Sequence, residues 1–508
     1  MPNDRYDLDT GTLVPYIRLF RERLDGNLMK TALVCGEQAL SYEELDKRSN
    51  RVAAFLQRRA VTSRSVVGLF MNRTLDLSVA LLGIMKTGAA FLPLDPQYPP
   101  QRIRHIVEDS GCELIIVNQS LVPSLAYYEY TVGYEEIDLV DEFGLQPATA
   151  NLDEAAYLLY TSGSTGLPKG TVITQEALAS FVYGITGEIA FPDGGAMLFL
   201  TTISFDISLL ELLVPLLYGM RIVIANEREQ RNPHLLKKII SEKEIDIVQM
   251  TPSAMQLLLD YDKELDCLRR VTDVLLGGEA LPLPVLEHIR TYTDANIYNL
   301  YGPTESTIWC MAANLKSRNS ITIGKPFRSV KVYVLDPDMK EVEPGVIGEL
   351  YIGGPQVAKG YLNQPQLTAE KFRKNPFEDG GMIFKSGDLV RCSDEGTFEF
   401  LGRNDHQVKI RGFRIEPGEI ESVLLWQQVI THVAVVPKTG KNGHSYLCGY
   451  YVSDGSVDER QLISSLRKVL PGYMIPEQLI RLDQLPYTPN FKIDRNALIS
   501  LENLTVPQ

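Results

Sequence analysis

The sequence predicts an α/β protein: a large N-terminal α/β domain with parallel sheets and a β-rich subdomain, then a small C-terminal α+β domain. Three observations carry that expectation. The chain has 508 residues, enough for two or three domains at about 100–200 residues each. Short Val/Ile/Leu-rich runs alternate with helical periodicity through the first half, the pattern of buried parallel strands joined by helices. The texture then changes twice, near residue 320 and near 403–406.

In chain order, the strand-like runs are SVVGLFM at 65–71, CELIIVN at 112–118, MRIVIAN at 220–226, IDIVQMT at 245–251 and TDVLLGG at 272–278. Between them, YEELDKRSNRVAAFLQRR places Leu45, Val52, Ala53 and Leu56 on one helical stripe, which reads as core with no chemistry. From about 320, SVKVYVLDP, GVIGELYIGG and GTFEFLGR are β-branched strands punctuated by Gly and Pro. After GRNDHQ a fresh pattern starts, with helices expected in EPGEIESVLLWQQ and ERQLISSLRKVL and strands in HVAVVPK and YLCGYYV. The expected division is 1–402 for the large domain and 403–508 for the small one.

Composition narrows the function. Hydrophobic residues are 44 % and charged residues 22 %, so a large core can form without disulfides or metals and disorder is excluded as the dominant state. A net charge of −14 has the wrong sign for a nucleic-acid backbone binder. Residues 405–508 hold 11 basic and 11 acidic side chains, so the whole excess lies in 1–404. The six cysteines are scattered and form no C-x-x-C, which argues against a disulfide framework or zinc site and for core thiols in a reducing compartment. The N-terminus has no basic start followed by an apolar run, and no stretch approaches the ~20 apolar residues of a membrane span. A cytoplasmic protein without membrane insertion is expected.

The strongest local signal is YTSGSTGLPKG at 160–170. A strand-like run leads into a loop of Gly, Ser and Thr and then a lysine, a loop able to offer backbone N–H groups and hydroxyls to phosphate oxygens. It is not a Walker A sequence, because Gly166 is followed by Leu-Pro-Lys-Gly. Alone, the string is equally compatible with a flexible surface loop.

This motif resembles the phosphate loop of the adenylate-forming enzymes, which include acyl-CoA synthetases, luciferases and the adenylation domains of nonribosomal peptide synthetases. Nine further segments follow that family's order: LSYEEL (40–45), MKTGAAFLPLDPQYP (85–99), FDIS (205–208), NLYGPTE (299–305), GELYIGGPQVAKGYL (348–362), KSGDLV (385–390), GRNDHQVKIRGFRIEPGEIE (402–421), LPGYMIP (470–476) and NFKIDR (490–495). The branch it looks most like is amino acid adenylation. The resemblance implies the adenylate-forming fold, with ATP and Mg²⁺ as cofactors. It also implies a two-step reaction, in which an amino acid carboxylate attacks the α-phosphate and the aminoacyl group then passes to the phosphopantetheine thiol of a carrier protein.

Carried over residue by residue, the resemblance assigns phosphate contacts to Thr161, Ser162, Gly163, Ser164, Thr165, Gly166 and Lys169. It assigns further ATP contacts to Gly278, Glu279, Ala280 and Gly302, and adenine contacts to Asn299 and Tyr301. Glu305 takes the metal-holding position, and Thr304 beside it donates to the α-phosphate or acyl carbonyl. Asp388 accepts from the ribose hydroxyls with Arg403 in support, although this chain has Phe384 and Ser386 where the family more often has Tyr and Thr. Lys492 is the catalytic cation that offsets the charge of adenylation; here it follows Phe491 where the family usually has Gly. Asp405 matches the hinge, for which a plain polar linker residue is the competing reading, and Lys409 the loop used in thioester formation.

The amino acid pocket maps to Phe205, Asp206, Ile207, Leu210, Gln249, Leu275, Gly277, Leu300, Ile308 and Trp309, with Lys492. A carboxylate at 206 among apolar neighbours suits an α-ammonium and opposes a fatty acyl chain, while its position ahead of ISLLELL also suits a helix N-cap. The bulk of the remaining side chains points by steric exclusion to the smallest amino acid, and the set resembles the lining of glycine-activating members. Glycine is expected, with alanine the alternative. An acyl-CoA or aryl-CoA ligase and a non-catalytic nucleotide-binding relative are the rival readings. No carrier-type serine motif or paired histidines of a condensation domain occur here, so the carrier is expected in trans or elsewhere in a larger synthetase, and the neutral C-terminal segment is expected to tolerate an acidic one.

Overall fold

The computed structural model describes residues 13–501 apart from 126–127, 140, 143, 147–149, 164–165, 319, 379, 428, 441–443 and 489–492. The chain divides into two compact units, one made of Met1–Pro96, Val107–Leu159 and Gly170–Asn404, the other of Gln97–Ile106, Tyr160–Lys169 and Asp405–Gln508.

In the first unit, LSYEEL starts a helix for a local reason. Ser41 accepts from Glu44 N at 3.2 Å while Glu44 accepts from Ser41 N at 2.7 Å, a capping box that opens the helix Tyr42–Arg58. Its stripe of Leu45, Val52 and Leu56 is buried. The next helix, Leu75–Thr87, approaches so closely at Gly83 that a Cβ there would lie 2.4 Å from Val52 Cβ. It stops at Gly88, whose φ of 81° is a left-handed conformation that glycine adopts without strain.

The five strand-like runs of the first half form Val66–Phe70, Leu114–Val117, Arg221–Ile224, Ile247–Met250 and Asp273–Gly277. Among the described residues they belong to a seven-stranded and a nine-stranded sheet. Val66–Phe70 runs parallel to Ala90–Pro93 and Leu114–Val117. Asp273–Gly277 lies parallel between Ile247–Met250 and Asn296–Tyr301. Central strands such as these are covered on both faces, which is why their sequences are continuous apolar runs without alternation. The β-rich texture after residue 320 becomes an antiparallel five-stranded sheet containing Lys331–Leu335, Ile347–Gly353 and Met382–Cys392, with Phe398–Arg403 paired to the last.

The second unit carries the hairpin Val408–Ile410 and Phe413–Ile415 and the three-stranded sheet of Ile430–Thr439, Ser445–Ser453 and Gln478–Arg481. Helices Pro417–Leu425 and Glu459–Arg467 supply Ile420, Val423, Leu424, Leu462 and Leu466 to its core. All six cysteines are free thiols, three of them buried. Among the described residues no helix is long and apolar enough to cross a membrane.

Candidate functional site

Three adjacent parallel strands end in candidate residues. Gln249 pairs in register with Leu275, and Gly277 with Leu300, so the period-two geometry of strands brings these four positions to one region of the sheet. The carboxyl ends of parallel strands are where α/β folds place their ligands. Beyond Tyr301 the chain makes a tight loop through a 3₁₀ turn at Thr304–Ser306 and returns antiparallel as Met311–Asn314.

That loop is strained. Thr307 and Ile308 have φ of 60° and 69°, a region that β-branched residues occupy only when their surroundings impose it. Gln356 imposes it: its Nε2 donates to the carbonyls of Ser306 (2.8 Å), Thr307 (3.1 Å) and Trp309, while Thr307 Oγ1 donates to Gln356 O at 2.7 Å. The consequence is the placement of Trp309, whose ring edge covers Gly277. A Cβ on Gly277 would lie 2.5 Å from Trp309 Cη2 and 2.6 Å from Leu300 O.

Ile207, Leu210, Leu275, Leu300, Ile308 and Trp309 are all buried, as is Asp206 at 3 % exposure. Asp206 does not cap the following helix, so that alternative falls: the N-cap of Ser208–Leu213 is Ile207, without a side-chain bond. The Asp206 charge also acts on Tyr157, whose hydroxyl is held well above the usual tyrosine range, chiefly by burial and then by that carboxylate.

A second cluster surrounds Asp388, 2 % exposed. Its carboxylate accepts from the Arg403 guanidinium on one oxygen and the Tyr301 hydroxyl on the other. The strand register sets this pairing, since Asp388 and Arg403 are cross-strand partners. Ser386 keeps its hydroxyl in use, donating to Leu350 O at 2.6 Å and accepting from Asp388 N at 3.0 Å. Burial and Asp388 push the Tyr301 phenol well above its ordinary value. Asn299 donates to Thr322 O at 2.8 Å, which orients its Oδ1 to accept. Glu305, fully buried, accepts from the Tyr361 hydroxyl at 2.6 Å. Thr304 is buried beside it. Glu279 accepts from Ser253 N at 2.6 Å, and Gly278 has φ 87°.

The Gly/Ser loop lies within the second unit. Its Gly163 N–H donates to the Glu419 carboxylate at 3.0 Å, and the other oxygen of Glu419 meets Arg102 at 2.6 Å. Ser162 donates to Arg414 O at 2.9 Å and accepts from Glu416 N at 3.1 Å. A backbone amide of this loop is thus occupied by a carboxylate of the same unit. In the same unit, Asp405 is exposed and accepts from Gln407 N at 3.2 Å. Lys409 is half-buried opposite Arg414 in the hairpin. Ser164, Thr165 and Lys492 lie outside the described residues.

Sequence reasoning passed over Glu211, Gln356 and Tyr361. Glu211 is the one charge in the run ISLLELL, and a carboxylate inside an apolar helix is itself a signal of a buried partner. Gln356 and Tyr361 stood within a matched segment but had no chemistry assigned to them.

The placements describe an enzyme of the nucleotide-binding α/β class, with polar side chains gathered at strand ends. The chain belongs to the AMP-binding enzyme family: the AMP-binding enzyme profile matches residues 20–362 and that of the AMP-binding enzyme C-terminal domain matches 419–492. It thereby falls among ATP-dependent ligases with the adenylate-forming fold. It is 39 % identical to bacitracin synthase 3 of Bacillus licheniformis over 95 % of this chain and 8 % of that protein. To a dimodular nonribosomal peptide synthase of Bacillus subtilis it is also 39 % identical, over 92 % of this chain and 20 % of that protein. The chain thus spans a small fraction of the length of these relatives. Among solved structures, a holo four-domain nonribosomal peptide synthetase bound to AMP and glycine superimposes with a TM-score of 0.73 at 33 % identity, covering 98 % of this chain and 38 % of that one.

Proposed function

We propose that the chain activates a small amino acid, glycine before alanine, and transfers it to a phosphopantetheinylated carrier protein. In the first step the substrate carboxylate oxygen bonds to the α-phosphorus of ATP, the bond to the β-phosphate oxygen breaks, and pyrophosphate leaves. In the second, the carrier thiol attacks the acyl carbonyl, loses its proton, and AMP leaves. The division of labour is 1–402 for substrate and ATP and 403–508 as the mobile lid, with Asp405 as its hinge and Lys409 serving the second step.

The observation that carries the reading is Trp309 lying over Gly277. With that ring in place, the space next to a substrate α-carbon admits hydrogen more readily than methyl. The glycine bound by the solved relative supports the same assignment. Asp206 pairs with the α-ammonium, which favours an amino acid over the acyl or aryl acids of a CoA ligase. Asp388, held by Arg403, takes the ribose hydroxyls. Asn299 accepts from the adenine amine, and Tyr301 flanks the base.

Mg²⁺ suits the residues present: Glu305 offers a hard carboxylate oxygen fixed by the Tyr361 hydroxyl, and Mg²⁺ is commonly held by one or two carboxylates together with substrate phosphates. Bound there, the ion would offset phosphate charge. Lys492 and Thr304 supply the remaining stabilisation of the charge that develops on the α-phosphate.

The test is amino-acid-dependent exchange of pyrophosphate into ATP, with Lys492→Ala alongside. Glycine-dependent exchange lost in Lys492→Ala is the expected outcome. Absence of exchange with every amino acid would leave an acyl acid substrate or a non-catalytic role.

A further inference from the structure

Trp309 can exclude a methyl group only if it cannot move, and its indole is fixed by a chain of buried side chains. Trp309 Nε1 donates to Gln249 Oε1 at 2.9 Å. The Gln249 amide has one workable orientation, because its Nε2 donates to Ile207 O at 2.8 Å and to Glu211 Oε1 at 2.7 Å. Glu211 is fully buried. Its Oε2 accepts from the backbone amides of Leu200 and Thr201, both at 2.8 Å, and its Oε1 accepts from Thr201 Oγ1 at 2.6 Å. Every one of these donors is neutral, so the carboxylate is positioned by geometry.

We propose that Glu211 is a positioning residue that sets the size limit of the amino acid pocket, acting through Gln249 on Trp309. The proposal rests on the pocket reading given above. Glu211 does not hydrogen-bond the indole, so its influence passes through the orientation of one amide.

The substitution Glu211→Gln exposes that logic. Its amide oxygen stays on the two backbone N–H groups, which have no other use for an amide nitrogen, and its NH₂ then faces the Gln249 NH₂. Gln249 can relieve the donor-to-donor contact only by flipping, which turns its oxygen toward Ile207 O and forfeits that hydrogen bond. After the flip its nitrogen faces the Trp309 N–H, the ring loses its acceptor, and Trp309 leaves its seat over Gly277. Gln356 continues to hold the backbone of 306–309, so the loop persists while the indole is released.

The experiment measures kcat/KM in pyrophosphate exchange for glycine and alanine in the wild type, Glu211→Gln, Trp309→Phe and the double variant. The emission of Trp309 is recorded in a Trp426→Phe background, since the chain has 2 tryptophans. Glu211→Gln should raise the alanine-to-glycine ratio about 10-fold, at the low end of what one methylene is worth, and should shift the emission. In the Trp309→Phe background the same change should move the ratio little, because phenylalanine has no N–H to orient. An unchanged ratio in Glu211→Gln, or an equal shift in both backgrounds, overturns the proposal while wild-type glycine preference keeps the pocket reading. A wild type without glycine preference overturns the pocket reading and the size limit with it. Should Glu211→Gln not fold, Glu211→Asp keeps the charge and retreats one carbon from Gln249, and the same outcomes apply.

Discussion

Asp388 and Glu211 are both buried carboxylates of the large unit, and they are satisfied in opposite ways. Asp388 meets a guanidinium and a phenol directly. Glu211 meets two backbone amides, a hydroxyl and a carboxamide, and Arg73 acts on it only through its charge, with its own guanidinium donating to the carbonyls of Ala225, Phe199 and Thr201. The difference separates two uses of one functional group. A carboxylate with a paired cation can also accept from the hydroxyls of a ligand. A carboxylate ringed by neutral donors orients its neighbours and pays for burial in a raised pKa, pushed here to about 7, chiefly by desolvation.

The largest effect is expected at Asp388. Asp388→Ala leaves the Arg403 charge, itself largely buried, without its partner, a loss of about 3–5 kcal/mol for a buried pair. Exchange activity should fall at least ~100-fold with a raised KM for ATP, and Asp388→Asn should recover part of it. An unchanged KM for ATP would remove Asp388 from the nucleotide site.

Glu211 gives the next effect, through pH. Its pKa in the folded protein is about 7 against 4.5 for the ordinary acid. Between those values the folded state holds the additional proton, so stability from this group is full below pH 4.5 and is lost as pH rises to about 7. The span corresponds to about 3 kcal/mol. Urea midpoints of the wild type relative to Glu211→Gln, measured from pH 4 to 8, should decline across that window. A flat difference would mean that Glu211 is ionised throughout.

Gly277→Ala sharpens the pocket side. The added Cβ falls 2.5 Å from Trp309 Cη2, and overpacking of this kind costs about 1–3 kcal/mol. Glycine kcat/KM should drop about 10-fold with a lower thermal midpoint. Normal activity and stability would show that the ring can retreat. Gln356→Ala removes the donor to three loop carbonyls, at about 0.5–1.5 kcal/mol for each lost bond. It should loosen selectivity between glycine and alanine without changing the KM for ATP.

Much of the fold is legible in the sequence because buried parallel strands announce themselves as apolar runs. Each of the five runs in the first half became a strand trimmed by one or two residues at its ends. The helix at Tyr42–Arg58 was equally legible in its stripe, and S-x-x-E in LSYEEL also encodes its first turn. At the site, the motifs single out Asp388, Arg403, Glu305 and Asp206. They do not reveal what each is bonded to, because those partners come from strand register and loop closure: Arg403 across a ladder from Asp388, Tyr361 from 56 residues beyond Glu305. The left-handed Thr307 and Ile308 were illegible because β-branched residues give no local hint of such a conformation, which is held by contacts from Gln356, far along the chain.

The proposed restriction to the smallest amino acid depends on a fixed Trp309 over Gly277. The most direct test is pyrophosphate exchange across the common amino acids with the wild-type chain. The expected signal is dominated by glycine, with alanine a weaker second and larger side chains near background. A preference for any larger amino acid would keep the adenylation chemistry and contradict the pocket.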